Sequence, residues 1–398
     1  MQFMDKGRDE KKKLSPGRKL LIASGLLIAA ALVQHLVFDM IGVEARGDLH
    51  MVDTAIGVSY GFDMHPSFYA PGGRSFFFAA RDGVQNLTSG GELRWQDGFN
   101  LALPLMVGRG DIVAIGEPNG HKIYVYGPDG YLFSVNLPHP AIYFTVNASG
   151  YLSVIMQTGS NYIIEVFHSD DRHYYRMPIY DTNVFPFSVD VSNCGTYVAK
   201  ALLDVDTLIL SRLTFSYVRR AESRAHMMTE GMFRSYRFDN EFIVRVRFTD
   251  CGRVIAVTDK QIIGFMADSG HQGSEWSIPL HNRPDKLYIG DNILAFVTGD
   301  AFLNDPNADA VGVLHIYNFD GRHTGSFDLG RRATHLTMNH NTVLAGTDRT
   351  FYAINQQGNL LWEHSAIQDV RDMIFLDNTD TILLAGGTRA MVMRRIRD

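Results

Sequence analysis

One stretch decides the fold: residues Asn341–His364 are "NTVLAGTDRTFYAINQQGNLLWEH". An apolar run is followed by a polar turn, an alternating apolar and polar run, a turn at Gly358 and a short run that contains Trp362. Short runs with a period of two, separated by turn residues, predict β-strands joined by tight turns. The stretch therefore predicts consecutive strands of a small antiparallel sheet.

The same order of features recurs along the chain about every 40 residues, which is the period of a propeller blade with four strands. The clearest copies begin at Leu101, Ala141, Phe185, Glu241, Asp285 and Ala333. A weaker copy covers residues 62–95, and the last copy, from Val370, has only three strands. We predict an all-β fold, a single β-propeller of eight four-stranded blades. Seven blades is the alternative, because the copy at 62–95 fits the pattern least well.

The eighth copy lacks its outer strand, and an open blade edge would invite aggregation. The segment 49–61, "LHMVDTAIGVSYG", alternates well enough to supply the missing strand. We therefore predict that residues 49–398 form a propeller closed by an N-terminal strand.

Two rare residue types support this alignment of the repeats. All three tryptophans, Trp95, Trp276 and Trp362, fall in the fourth-strand position, where we expect them to pack between blades. Both cysteines, Cys194 and Cys251, fall in equivalent first hairpins. A disulfide requires that the two Cα atoms lie within roughly 7 Å of each other. We expect the Cα atoms of equivalent turns on neighbouring blades to be farther apart than this. The sequence therefore predicts two free thiols.

The N-terminus differs from the rest of the chain. Leu20–Phe38 contains no charged residue, and as a helix it would span roughly 28 Å, close to the hydrocarbon core of a bilayer. Residues 1–19 contain seven Lys or Arg and three Asp or Glu. The positive-inside rule predicts a cytoplasmic tail (1–19), a transmembrane signal anchor (20–38), a linker (39–48) and an extracytoplasmic propeller. The alternative, a cleaved signal peptide, would export the same domain.

Three stretches carry a resemblance to a known family: "GDIVAIGEPNGHKIYVYGPDG", "FPFSVDVSNCGTYVAKALL" and "VRVRFTDCGRVIAVTDKQIIGF". With the basic N-terminal tail and the apolar segment, they resemble an uncharacterised family of membrane-anchored propellers known mainly from Gram-positive bacteria. That family is similar to WD40-like and quinoprotein-like domains. The resemblance implies the fold and brings no catalytic residues with it, because the shared motifs are strands and turns.

Motifs for chemistry are missing from the sequence. A quinone-dependent propeller enzyme commonly has adjacent cysteines, and no Cys-Cys pair is present; neither is an H-E-x-x-H motif. Asp305, Asn307 and Asp309 have the spacing of the first calcium-loop ligands, but Ala310 and Ile316 replace the required Gly and Glu. We interpret this segment as a polar loop and predict no cofactor, no metal and no catalytic residue.

The best candidate for an interaction is the long basic segment from Arg219 to Arg237, whose methionines suit adaptable contacts. Its candidate residues are Arg219, Arg220, Arg224, Met227, Met228, Met232, Phe233, Arg234 and Arg237. The alternative is a long connection that covers the edge of its own blade. The net charge of −6 argues against a nucleic-acid partner.

These features together predict a single-pass protein of the cell membrane whose propeller is a non-catalytic scaffold. Propellers suit this role because loops from all blades gather on two flat faces around a channel. The partner would be a protein or a ligand of the cell envelope. The alternative is an enzyme or a ligand sensor with an unrecognised site at the mouth of the channel, which clustered carboxylates and histidines would indicate.

Overall fold

The computed structural model of the chain describes residues 49–51, 57–59, 66–71, 75–169, 173–206, 209–218, 231–267, 273–366, 369–376 and 380–395. These residues belong to one compact unit, Gly47–Asp398, and contain thirty-three strands in eight sheets. The predicted tail (1–19), anchor (20–38) and linker (39–48) lie outside the described residues. Within the described ranges, no helix has the length and hydropathy that a membrane span requires.

Each of the first four sheets is one blade, with four antiparallel strands in chain order. Blade 1 comprises β3 (Ser67–Tyr69), β4 (Ser75–Ala80), β5 (Gly83–Thr88) and β6 (Leu93–Gly98). Blade 2 comprises β7 (Leu105–Arg109), β8 (Ile112–Gly116), β9 (Lys122–Gly127) and β10 (Gly130–Asn136). Blade 3 comprises β11 (Ala141–Val146), β12 (Leu152–Thr158), β13 (Asn161–Phe167) and β14 (His173–Ile179). Blade 4 comprises β15 (Val184–Val191), β16 (Tyr197–Asp204), β17 (Leu210–Tyr217) and β18 (Met232–Asp239).

The next three sheets repeat this arrangement, and the last one adds strands from the other end of the chain. Blade 5 comprises β19 (Ile243–Phe248), β20 (Arg253–Thr258), β21 (Gln261–Met266) and β22 (Trp276–Pro279). Blade 6 comprises β23 (Asn282–Ile289), β24 (Ile293–Ala301), β25 (Val313–Asn318) and β26 (His323–Asp328). Blade 7 comprises β27 (His335–Asn339), β28 (Thr342–Thr347), β29 (Thr350–Asn355) and β30 (Leu360–Ser365). Blade 8 comprises β31 (Asp372–Phe375), β32 (Thr381–Ala385), β33 (Arg389–Arg395), β1 (Leu49–Met51) and β2 (Gly57–Ser59).

The outer position of blade 8 is filled by two short N-terminal strands. β1 and β2 both pair antiparallel with β33, so that Leu49 lies opposite Arg395 and Gly57 lies opposite Met391. The prediction of eight four-stranded blades is confirmed, and the alternative of seven is wrong, because residues 66–98 form a complete blade.

The hydrophobic core lies between the blades. Every residue of β4 and of β28 is buried, because a second strand is covered on both faces by neighbouring blades. The fourth strand β6 is mostly exposed, in keeping with its place at the rim. One core cluster joins Phe215 of blade 4 to Phe248 and Phe265 of blade 5, so adjacent blades share their apolar side chains.

The tryptophans pack between blades, as the sequence predicts. The indole nitrogen of Trp95 donates a hydrogen bond to the carbonyl of Pro128 (2.8 Å), and that of Trp276 donates to the carbonyl of Phe319 (2.9 Å). Both acceptors lie in the turn between the third and fourth strands of the next blade. Gly321 closes the second of these turns, where a Cβ atom would lie only 2.6 Å from the indole ring. Trp276 thus requires a glycine in the neighbouring turn of blade 6.

The expectation of two free thiols is wrong. Cys194 and Cys251 form a disulfide, and their Cα atoms are 5.2 Å apart. The bond joins the first hairpins of blades 4 and 5. These hairpins lie close together because the first strands β15 and β19 are in direct contact: Ser188 Oγ accepts a hydrogen bond from the backbone nitrogen of Val246 (3.1 Å). The distance between equivalent turns is therefore much shorter near the propeller axis than at its rim.

Replacing both cysteines by alanine should lower the free energy of unfolding by about 2–4 kcal/mol, because the bond closes a loop with a sequence separation of 57. Equilibrium urea unfolding followed by tryptophan fluorescence measures the change. Dithiothreitol should shift the wild-type midpoint to that of the variant and leave the variant unaffected. Equal midpoints without reductant would contradict a stabilising disulfide.

Candidate functional site

The candidate interaction segment is only partly within the described residues. Five of its nine residues lie outside them: Arg219, Arg220, Arg224, Met227 and Met228. The other four, Met232, Phe233, Arg234 and Arg237, belong to strand β18, the fourth strand of blade 4. The connection therefore ends before Met232, and the binding role of the segment stays a prediction.

Two of those four side chains help to hold the propeller together. The ring of Phe233 packs against Tyr217, with ring centroids 4.5 Å apart. Arg234 Nη1 donates to the carbonyl of Met266 in blade 5 (3.1 Å). Met232 remains 37% exposed, and Arg237 forms an exposed ion pair with a neighbouring carboxylate. The start of β18 thus joins blades 4 and 5.

The segment with calcium-loop spacing uses its carboxylates in two separate contacts. Asp305 Oδ2 lies 2.9 Å from His281 Nδ1, and Asp309 Oδ2 lies 3.2 Å from His315 Nε2. Burial lowers the pKa of His315, which favours its neutral form at neutral pH. Within the described ranges, no group of three or more potential metal ligands is found. The two carboxylates do not converge on a common centre.

A polar set that the sequence analysis did not single out lies on the first strands. We call the side of the propeller on which the first strands begin the entry face, and the opposite side the exit face. Tyr69, Arg109 and Asn339 are the last residues of β3, β7 and β27, and Asp190 and Arg247 are the second-last residues of β15 and β19. Because the first strands surround the axis, these side chains meet in the channel near the exit face.

These side chains line two small cavities. The larger, of about 40 Å³, is lined among others by Tyr69, Arg109, Arg247, Tyr288, Asp291 and Asn339; we call it the arginine cavity. The smaller, of about 30 Å³, is lined among others by Arg109, Tyr143, Asp190, Arg245 and Arg247. Since Arg109 and Arg247 line both, the two cavities lie on either side of this arginine pair.

Arg109 has a close counter-charge. Its Nη1 lies 2.8 Å from Asp190 Oδ2, and the two side chains are only 7% and 4% exposed. The same carboxylate oxygen accepts a hydrogen bond from the backbone nitrogen of Phe248 (2.8 Å). Because a buried charge is tolerated only when it is paired and hydrogen-bonded, this ion pair accounts for the presence of both groups in the channel.

Arg247 is less completely neutralised. Its side chain is 15% exposed, and its Nη2 lies 3.9 Å from the carboxylate of Asp291, which is itself 66% exposed. Its Nε has no hydrogen-bond partner among the described residues. Burial, and after it the charge of Arg109, lowers the pKa of Arg247 to about 10, so the guanidinium stays charged at neutral pH. The channel therefore holds a buried positive charge with a weak partner.

Tyr69 forms one wall of the arginine cavity. Its hydroxyl donates to the carbonyl of Gly110 (2.9 Å), and burial, with the nearby Tyr288 and Asp291, raises its pKa well above the usual value. Its ring covers Gly108, where a Cβ atom would lie 2.4 Å from the ring atoms. The site thus presents a fixed cation beside a neutral tyrosine, an arrangement that suits the binding of an anion.

The sequence did contain a signal for this site. Strand β19 is "IVRVRF", which places Arg245 and Arg247 at alternate positions of a first strand. The first strands β11 and β27 carry no arginine or lysine. A first strand has little access to bulk solvent, so charged side chains on it need other polar groups around them. Charged residues at alternate positions of such a strand therefore indicate a polar channel.

The chain matches the family of unknown function DUF5711 over residues 67–394. No protein of curated function matches the sequence. Among solved structures, BamB from Moraxella catarrhalis is similar with a TM-score of 0.52 and 13% identity, over 87% of this chain and 97% of that chain. The Pan2 WD40 domain of Neurospora crassa has a TM-score of 0.47 and 9% identity, over 74% of this chain and 89% of that chain. The similarity to BamB supports the propeller fold alone.

Replacing Asp190 by alanine should lower the free energy of unfolding by about 3–5 kcal/mol, because it leaves the buried guanidinium of Arg109 unpaired. The double variant Arg109→Met/Asp190→Leu removes both charges and should recover part of this loss, although the backbone nitrogen of Phe248 still lacks its acceptor. Equilibrium urea unfolding measures both effects. Asp369→Ala, which breaks an ion pair with Arg349 at the surface, is the matched control and should change stability little. A double variant that is less stable than Asp190→Ala would contradict this account.

Proposed function

The chain belongs to the DUF5711 family, and we propose that it is a non-catalytic, protein-binding propeller whose entry face docks the partner. The observation that carries the proposal is the uneven distribution of exposed apolar side chains between the two faces. Large exposed apolar residues that cluster on one surface mark sites of protein interaction, whereas single scattered ones are ordinary.

Fourteen large apolar residues are exposed in the described part of the chain. Ten of them lie in the first halves of first strands, in the connections that lead into those strands, or between second and third strands, all of which are on the side of the entry face. They are Leu103, Leu105, Ile142, Tyr180, Phe187, Val205, Ile209, Val244, Leu303 and Val311. The remaining four lie at or near the starts of fourth strands, on the outer rim: Leu93, Tyr131, Leu132 and Met232.

Half of the entry-face residues belong to blades 4 and 5 and the connection before them. We call these residues the blade 4–5 patch: Tyr180, Phe187, Val205, Ile209 and Val244. Tyr180 is 78% exposed, Ile209 is 56% exposed and Val244 is 50% exposed. Burying side chains of this size and exposure supplies the hydrophobic part of an interface core.

Contacts across the patch show that its members are neighbours. The ring of Phe187 lies edge-on to the ring of Phe242 at the start of blade 5, with centroids 4.5 Å apart. The backbone nitrogen of Asn240 donates to the carbonyl of Ile209 (3.0 Å). Asn240 precedes Phe242 by two residues, so Ile209 lies close to Phe242 in space. The backbone nitrogen of Val205 donates to the carbonyl of Asn183 (3.0 Å), close to Tyr180 in the chain. The apolar side chains therefore span the boundary between the two blades.

Three exposed carboxylates lie next to the patch, and two cations, Arg245 and Lys260, lie near them. Asp181 follows Tyr180, Asp206 follows Val205, and Asp259 accepts a hydrogen bond from the backbone nitrogen of Phe242 (2.7 Å). All three aspartates are exposed. We infer a protein partner that presents apolar side chains with lysine or arginine beside them, because opposite charges at the rim of an interface favour association.

The disulfide between Cys194 and Cys251 supports an extracytoplasmic location, because such bonds persist in oxidising compartments and are rare in the cytosol. The charge-free segment Leu20–Phe38 and the basic tail before it support a single-pass anchor with the N-terminus in the cytoplasm. In this proposal the propeller lies outside the cell membrane, where it binds a partner in the envelope. This location is in keeping with the resemblance to anchored propellers of Gram-positive bacteria.

A photo-crosslinking residue at position 206, beside the patch, should form an adduct with the partner in living cells. The variant Tyr180→Ser/Ile209→Ser should reduce the adduct at least tenfold, because it removes two of the most exposed apolar side chains in the patch. The control Leu93→Ser/Leu132→Ser changes similarly exposed residues on the outer rim (51% and 46%) and should keep the adduct. Equal yields from the two variants would contradict docking at the patch.

Labelling of intact cells with a membrane-impermeant amine reagent tests the proposed location. Lys260 and Lys286 are exposed on the propeller and should be modified. Lys11–Lys13, in the proposed cytoplasmic tail, should be modified only after the cells are lysed. Peptide mass spectrometry measures both sites in one chain, so the tail is the internal control. Labelling of the tail without labelling of the propeller in intact cells would reverse the proposed orientation.

A further inference from the structure

Two residues that line the arginine cavity each have a buried donor without a partner. Arg247 and Asn339 both line the cavity, and neither Arg247 Nε nor Asn339 Nδ2 has a hydrogen-bond partner among the described residues. Buried polar groups in folded proteins are nearly always hydrogen-bonded, so two such donors in the walls of one cavity leave it incompletely satisfied. A ligand with acceptor atoms would meet these two polar side chains in the cavity wall.

The charge of the cavity specifies an anion. The counter-charge of Arg109 is Asp190, so that pair is neutral as a unit. The nearest carboxylate to Arg247 is that of Asp291, at 3.9 Å and mostly in solvent, where screening weakens the attraction. Arg245, which lines the smaller cavity, adds a further positive charge nearby. A negatively charged ligand would therefore find an incompletely neutralised guanidinium.

The size of the cavity limits the ligand group. Its volume of about 40 Å³ corresponds to roughly three water-sized spheres, at about 10–15 Å³ for each. That is room for one carboxylate or one phosphate group and not for a sugar or a base. Asp291 also lines the cavity, and its negative charge opposes a phosphate dianion more strongly than a carboxylate monoanion.

We propose that the arginine cavity binds a carboxylate group that enters the channel from the exit face. The guanidinium of Arg247 is planar and presents parallel N–H donors, which match the two oxygens of a carboxylate. Asn339 adds a polar side chain to the same cavity wall. The site lies on the opposite face from the blade 4–5 patch, so it stands independently of the proposed protein partner.

Thermal unfolding of the full chain in increasing sodium acetate tests the proposal, with sodium chloride keeping the ionic strength constant at pH 7. Acetate should raise the midpoint temperature in a saturable way, because a ligand that binds only the folded state stabilises it. Sodium phosphate, titrated in the same way, should have a weaker effect. Saturation by phosphate without saturation by acetate would overturn the assignment to a carboxylate, and no saturable effect of either would overturn the site.

Arg247→Met should weaken the apparent affinity for acetate at least tenfold and should not lower the midpoint in chloride alone, because methionine removes a poorly paired buried charge. Arg349→Met, at an exposed arginine, is the matched control and should keep the acetate effect. Asp291→Asn, on an exposed side chain, should strengthen acetate binding several-fold by removing a repelling charge. An unchanged acetate response in both Arg247→Met and Asp291→Asn would overturn the proposal.

Discussion

Closure of the ring, by β1 and β2 against β33, is the constraint on which the rest of the structure depends. Pairing with these strands covers the outer edge of blade 8, which would otherwise be open to another chain. Once the ring is closed, every blade has a neighbour on both sides. The second strands can then be apolar throughout, as β4 and β28 are, and the fourth-strand tryptophans find the turn of the next blade.

Closure also crowds the eight first strands around the axis, and this explains why polar side chains occur there. The inner edge of a first strand has no further strand to pair with, so its backbone groups need other partners. Side chains of β15 supply them for β19: Ser188 accepts from the nitrogen of Val246, and Asp190 accepts from that of Phe248. Asp190 carries a charge into the channel, and Arg109 neutralises it. The polar channel follows from the need to satisfy these inner edges.

The repeat in the sequence predicted the blades because each strand and turn is determined by residues close together in the chain. The number of blades and the positions of the tryptophans follow from that local pattern. The distance between the inner hairpins of neighbouring blades does not, which is why the bond between Cys194 and Cys251 was not predicted. Phe233 belongs to β18 because its ring fits between Tyr197 and Tyr217, a packing contact that a search for basic loops cannot detect. The channel site was detectable only through the alternating arginines of β19.

The two faces of the propeller are joined by the same pair of strands. β15 carries Phe187 toward the entry face and Asp190 into the channel, while β19 carries Val244 and Arg247 in the same order. A partner on the patch and a carboxylate in the channel would therefore contact opposite ends of two rigid strands that are hydrogen-bonded to each other. The disulfide connects the hairpins that follow these strands, next to the arginine pair. Its position restrains the spacing between β15 and β19 at the end where Asp190 accepts the hydrogen bond from the backbone nitrogen of Phe248.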